Sequence, residues 1–174
     1  MFIGRRNEKE ILIDALNKER SSFIALYGRR RVGKTDLVNS AYNNSCAFKH
    51  TGLYKRTKQD QLKQFSLSLE KKGYEIKKKL KDWSDAFYAL EDYIEHLSEG
   101  KKVIFIDELS WMDTPKSDLI SSFENFWNDF CFARNDIVLI ICSSATSWLL
   151  NKFIHSKGGF YNRLTNRIYL SQFT

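Results

Sequence analysis

Two groups of residues in this sequence have the types and spacing to handle phosphate. Gly28-Arg29-Arg30-Arg31-Val32-Gly33-Lys34-Thr35 fits the pattern G-x-x-x-x-G-K-[ST]. The two glycines let the backbone curl until several N–H groups converge on phosphate oxygens. A helix opening at Lys34 would add the positive end of its dipole. Lys34 is placed to reach the β- and γ-phosphates, and the Thr35 hydroxyl is a hard oxygen ligand for Mg²⁺. Asp36 follows directly and is counted with the loop. The side chains of Arg29, Arg30 and Arg31 are expected to point outward while the backbone does the cradling, so none receives a catalytic role.

The second group closes an apolar run. Val103-Ile104-Phe105-Ile106 ends in Asp107-Glu108. A carboxylate at the C-terminal end of a parallel strand sits where open α/β sheets bind ligands. Asp107 is expected to hold Mg²⁺, usually through water. Glu108 is expected to orient and deprotonate an attacking water, a general-base role. The glycine of an Asp-x-x-Gly pattern is missing from Asp107-Glu108-Leu109-Ser110. No Asn-Lys-x-Asp guanine motif is present either: Asn17-Lys18-Glu19-Arg20 and Asn151-Lys152-Phe153-Ile154 both fail it. ATP is therefore favoured over GTP.

Such groups act only if the chain brings them together, and the patterning says how. Phe23–Tyr27, Val103–Ile106 and Ile137–Cys142 are continuously apolar, which implies strands buried on both faces. Cys46–Thr51 and Arg167–Leu170 are two further strand candidates. Helical spacing recurs over Glu8–Arg20, Lys34–Tyr42, Leu62–Leu69, Ser84–Leu97, Ser117–Phe132 and Ser147–Phe153. Strands that alternate with helices predict crossover units and a mostly parallel sheet. Trp111, Trp127 and Trp148 are read as packing residues.

With these motifs in hand, the chain resembles the archaeal-type ATPase family, within the AAA+ and signal-transduction ATPase group of P-loop NTPases. The similar segments are Phe2-Ile3-Gly4-Arg5-Arg6-Asn7-Glu8-Lys9-Glu10, Tyr27–Thr35, Phe105–Trp111, Cys142-Ser143-Ser144-Ala145-Thr146-Ser147-Trp148 and Asn162–Leu170. The resemblance implies a three-layer α/β/α fold whose mostly parallel five-stranded sheet has the order 5-1-4-3-2. It implies that Gly4 and Arg5 border the adenine, and that Ser143 or Ser144 contacts the γ-phosphate or the attacking water. It implies an arginine finger at Arg163 or Arg167, which would act across a self-association interface. Asn162 and Asn166 stand where the family usually has glycines. The segment 1–174 matches the ATPase core alone, and the helical lid and C-terminal effector domain of relatives are expected to be absent from it.

Composition narrows the remaining classes. The chain has 174 residues, 43% of them hydrophobic and 14% aromatic, which excludes intrinsic disorder. No apolar run suits a membrane span and no signal peptide is visible, so a cytoplasmic protein without membrane contact is expected. Cys46, Cys131 and Cys142 have no metal spacing and read as buried free thiols. The net charge is +7, and Lys55–Lys81, with ten basic and three acidic residues, carries all of it. The simpler reading of that segment is a solvated helical face on an apolar stripe of Leu62, Phe65, Leu69 and Ile76. The alternative is a DNA or acidic-protein partner. A nucleotide-gated switch with little turnover is the other rival to an ATP-hydrolysing core.

Overall fold

The computed structural model describes residues 4–158, 160 and 162–173. The apolar runs form five strands: β1 (Ser22–Tyr27), β2 (Phe48–Thr51), β3 (Lys102–Asp107), β4 (Ile137–Ser143) and β5 (Asn166–Tyr169). All pairings are parallel, and the order across the sheet is β2-β3-β4-β1-β5. This is the expected order.

The sheet lies between two apolar layers, and alternate residues of each strand feed them. Phe23, Ala25, Ile104, Ile106, Leu139 and Ile141 face one layer; Ile24, Leu26, Val103, Phe105, Ile140 and Cys142 face the other. The second layer is closed by α1 (Arg6–Asp14) and α2 (Lys34–Ala41). The first is closed by α3 (Lys58–Glu70), α4 (Trp83–Glu95) and α6 (Leu119–Asn125). Two short helices, α5 (Leu109–Met112) and α7 (Thr146–Leu149), follow β3 and β4 directly. The three cysteines are free and buried. Among the described residues no helix is long and apolar enough to cross a membrane.

Three boundaries differ from the sequence reading. The first helix stops at Asp14 and tightens into a 3₁₀ turn over Ala15–Asn17. The stretch expected as one helix over 117–132 is α6 continued by a wider π-helical segment, Phe126–Cys131. The basic segment is not one helical face. It leaves the helix after Glu70, turns at Gly73 with φ +84°, and runs as a non-helical strap to Asp82. Ile76 therefore belongs to the strap and not to the stripe of α3.

The sheet's two ends differ in charge. At the N-terminal end Asp136 is bonded by Lys102 at 2.8 Å and by Arg134 at 2.7 Å. The Arg134 guanidinium is the largest influence holding its carboxyl down at about 2. There Lys102 and Arg134 share one carboxylate. The C-terminal end carries the loop lysine and the paired acids.

His50 on β2 is buried among Phe48 and Phe65. Its Nδ1 pairs with Ser68 Oγ at 2.8 Å, and its Nε2 has no hydrogen-bond partner among the described residues. Burial pushes its pKa down from 6.5 to about 3, so the ring folds neutral. A depressed histidine contributes stability that is complete above the unfolded value and is lost as pH falls from about 6.5 toward 3. By pH 5 this loss reaches about 2 kcal/mol. Urea unfolding at pH 7 and pH 5 checks it: His50→Leu should lose less stability between the two than the parent chain, by about that amount.

Candidate nucleotide site

The loop after β1 is shaped by what its glycines must avoid. A Cβ on Gly28, at φ +148°, would stand 2.3 Å from the Leu170 carbonyl oxygen, so only glycine fits beneath the end of β5. Gly33 caps α2 in the left-handed region, at φ +89°. Arg31 also adopts φ +63°, a strained setting for a non-glycine residue. Val32 is buried and anchors the loop. Lys34 is only 6% exposed, and its Nζ donates to the carbonyls of Gly28 at 2.8 Å and Arg29 at 2.6 Å. The ammonium thus reaches back to the entry of its own loop.

Strand β3 delivers the acids to the same place. Thr35 Oγ1 donates to Asp107 Oδ2 at 2.6 Å, a contact between residues far apart in sequence. Asp107 is buried, and Glu108 follows at φ +50°, which turns the chain out of β3. The Glu108 carboxylate accepts from the Ser144 hydroxyl at 3.0 Å and from the Ser144 N–H at 3.3 Å. Ser143 is fully buried and donates to Ser110 Oγ at 2.9 Å. Ser144, and not Ser143, is therefore the residue that touches the acidic pair. Arg30, Arg31, Gly33, Lys34, Thr35, Asp36, Asp107, Glu108 and Trp111 line a cleft of about 230 Å³.

Two sequence expectations are corrected here. Arg29 is exposed and does not line the cleft, but Arg30 and Arg31 border it. Trp111 is a cleft wall and not a core residue, whereas Trp127 is buried as expected and Trp148 donates to Asp113 at 2.9 Å. The sequence reading also missed Gln61 and Gly52. Gln61 is fully buried; its amide donates to the carbonyls of Leu53 at 2.6 Å and Trp111 at 3.0 Å, and its carbonyl accepts from Leu53 N–H at 2.9 Å. Gly52 N–H donates to the Asp107 carbonyl at 2.9 Å. A lone glutamine on an amphipathic helix carries no sequence signal for such a role.

The remaining predicted residues lie around the edge. Phe2 and Ile3 of the N-terminal box lie outside the described residues. Gly4, at φ +103°, packs against Phe173. Arg5 donates to the carbonyls of Val32 and Ser171 and lies 4.3 Å over the Phe173 ring, which ties the N-terminal segment to the loop and to the exit of β5. Arg163 sits before β5 at the opposite, N-terminal end of the sheet, over the Phe132 ring at 5.3 Å. Arg167 lies on the exposed edge strand. Neither arginine borders the cleft.

The arrangement offers hard oxygen donors in Thr35 and Asp107, a buried ammonium, and a carboxylate fixed beside them. That donor set fits a phosphate chain together with a small divalent cation. The model of a family described as an ATPase domain predominantly from Archaea matches residues 2–174. An uncharacterized protein of Methanocaldococcus jannaschii is 30% identical over 165 residues, which cover 95% of this chain and 34% of that one. An uncharacterized ATP-binding protein of the same organism is 46% identical over 44 residues, 25% of this chain and 75% of that one. The fold matches the Walker-type ATPase of Pyrococcus abyssi with a TM-score of 0.69 at 18% identity, over 99% of this chain and 54% of that one. The chain thus spans about a third of the first curated relative and about half of the solved structure.

The glycine at position 52 gives a direct test of how this end of the sheet is packed. A Cβ there would meet the Glu108 carbonyl oxygen at 2.5 Å and Met112 Cγ at 3.0 Å. Gly52→Ala should cost about 1–3 kcal/mol through overpacking, read as a lowered urea midpoint at unchanged slope.

Proposed function

Because the chain belongs to the ATPase-domain family found predominantly in Archaea, we propose that its cleft binds ATP with Mg²⁺ and hydrolyses it to drive or switch a further domain. The observation that carries this reading is the Thr35–Asp107 contact at 2.6 Å beneath the Lys34 loop. It joins the phosphate loop and the acidic strand end into one site. In this reading the loop backbone N–H groups and Lys34 hold the phosphates. Thr35 and Asp107 hold the cation, which when bound neutralises charge on the phosphate oxygens. Glu108, oriented by Ser144, accepts the proton of the attacking water. Gly4 and Arg5 border the base. Arg163 or Arg167 completes a neighbouring copy's site across a self-association interface.

The same geometry serves a switch that binds tightly and turns over little, and mutation with kinetics separates the two. Lys34→Ala should abolish binding of ATP by calorimetry. Glu108→Gln should keep that binding within a few-fold and lower steady-state hydrolysis by 100-fold or more. A parent chain that binds ATP without measurable turnover is the switch.

A second reading is favoured by one specific feature, the basic strap. Lys77, Lys78, Lys79 and Lys81 with Tyr74, Ile76 and Tyr88 line a cleft of about 720 Å³ on the outer side of α4. In that reading the cleft takes DNA or an acidic protein segment. Replacing Lys77, Lys78 and Lys79 by Gln should weaken binding of a single-stranded oligonucleotide and flatten its salt dependence by about two units of slope, at unchanged ATP affinity.

A further inference from the structure

Arg30 is set apart from the other loop arginines by what holds it. Its guanidinium carbon lies 5.5 Å from the centre of the Trp111 ring and 5.9 Å from that of Tyr54. The two rings lie 5.3 Å apart at 56° to each other. Among the described residues no carboxylate lies within ion-pair distance of Arg30. Its charge is therefore held over aromatic faces and not neutralised.

The aromatic bracket is fixed to the acidic strand end. Trp111 stands in α5, one helical turn after Glu108, and shares the cleft with Asp107 and Glu108. Tyr54 stands in the loop after β2. Gln61 bonds to Leu53 and to Trp111 and so clamps both loops together. Gly52, hydrogen-bonded to the Asp107 carbonyl, ties them to β3. Arg30 thus reaches from the phosphate loop toward the wall that carries Glu108. A base that activates water must stand beside the phosphorus under attack, so that wall is where the terminal phosphate belongs.

We propose that Arg30, held on Trp111 and Tyr54, is a specificity-determining residue that reads the terminal phosphate and so separates a nucleoside triphosphate from its diphosphate. The proposal rests on the nucleotide site proposed above. Loop N–H groups cradle phosphates that the two nucleotides share, and Lys34 spans the β- and γ-phosphates, so Arg30 adds a second, directional contact to the terminal group. Only the terminal group adds charge, and a planar guanidinium meets phosphate oxygens in a two-pronged geometry that an ammonium does not reproduce.

The test compares affinities of a non-hydrolysable ATP analogue, adenylyl imidodiphosphate, and of ADP by calorimetry with Mg²⁺. Arg30→Ala should weaken the analogue by tenfold or more and ADP by less than twofold. Arg30→Lys should recover only part of the loss. Trp111→Leu, which removes the platform, should shift the affinity ratio in the same direction by a smaller factor. Arg30 is exposed, and circular dichroism should confirm that its variants fold as the parent does. A nucleotide-dependent change in tryptophan fluorescence that differs between analogue and ADP should vanish in Trp111→Phe. Equal weakening of both ligands by Arg30→Ala, or no weakening of either, overturns the proposal while leaving the nucleotide site standing. A parent chain that binds neither ligand overturns the site and this proposal together, and Lys34→Ala serves as the control that distinguishes the cases.

Discussion

The hydrogen bond from Thr35 to Asp107, at 2.6 Å, closes the site, and the sheet order decides that it can form. Strands β1 and β3 are not neighbours; β4 lies between them. The loop after β1 and the acids after β3 meet only by bridging the tip of β4. That geometry puts Ser143 and Ser144 beneath the bridge, and explains why Ser144 reaches the Glu108 carboxylate. The strands themselves have no room for polar chemistry, because both faces of β1, β3 and β4 are buried. Polar side chains are driven to the strand ends, and at the C-terminal end the Lys34 ammonium is held by carbonyls and not by a carboxylate.

Two strained backbone positions lie at the same end. Arg31 and Glu108 both hold left-handed backbone that non-glycine residues disfavour, at a cost of order 1 kcal/mol each. For Glu108 the turn lifts its carboxylate toward Ser144 and redirects the chain into α5. Gly52 is the complement of that turn, since no side chain fits between it and the Glu108 carbonyl. The turn, the glycine and the Gln61 clamp form one unit, which holds Trp111 in the cleft wall.

Legibility in the sequence followed the range of the interactions. The phosphate loop is contiguous, and its glycines, lysine and threonine are dictated by local backbone shape, so Gly28 to Thr35 announce themselves. The buried strands are equally plain, because burial on both faces leaves an unbroken apolar run. Their order was carried by the family resemblance and not by periodicity. The clamp was illegible because Gln61 acts on residues of two other loops and its own helix looks amphipathic. The strap after Glu70 was misread because Ile76 happens to continue a helical spacing that Gly73 interrupts. Trp111 looked like core because a tryptophan after an apolar strand packs in either case, and only the αL turn at Glu108 decides where it goes.

Lys34 shows what holds the loop in shape. A buried ammonium with no partner would be costly, yet here two carbonyls of its own loop accept its protons. Those carbonyls belong to Gly28 and Arg29, the residues that begin the loop, so the lysine staples the loop's entry to the start of α2. Arg30, Arg31 and the N-terminal end of α2 add positive charge at the same cleft. The Asp36, Asp107 and Glu108 carboxylates oppose that charge from the same lining. In the proposed reading a divalent cation on Thr35 and Asp107 would offset those carboxylates, so phosphate affinity would depend on the cation more steeply than a loop of N–H donors alone would require.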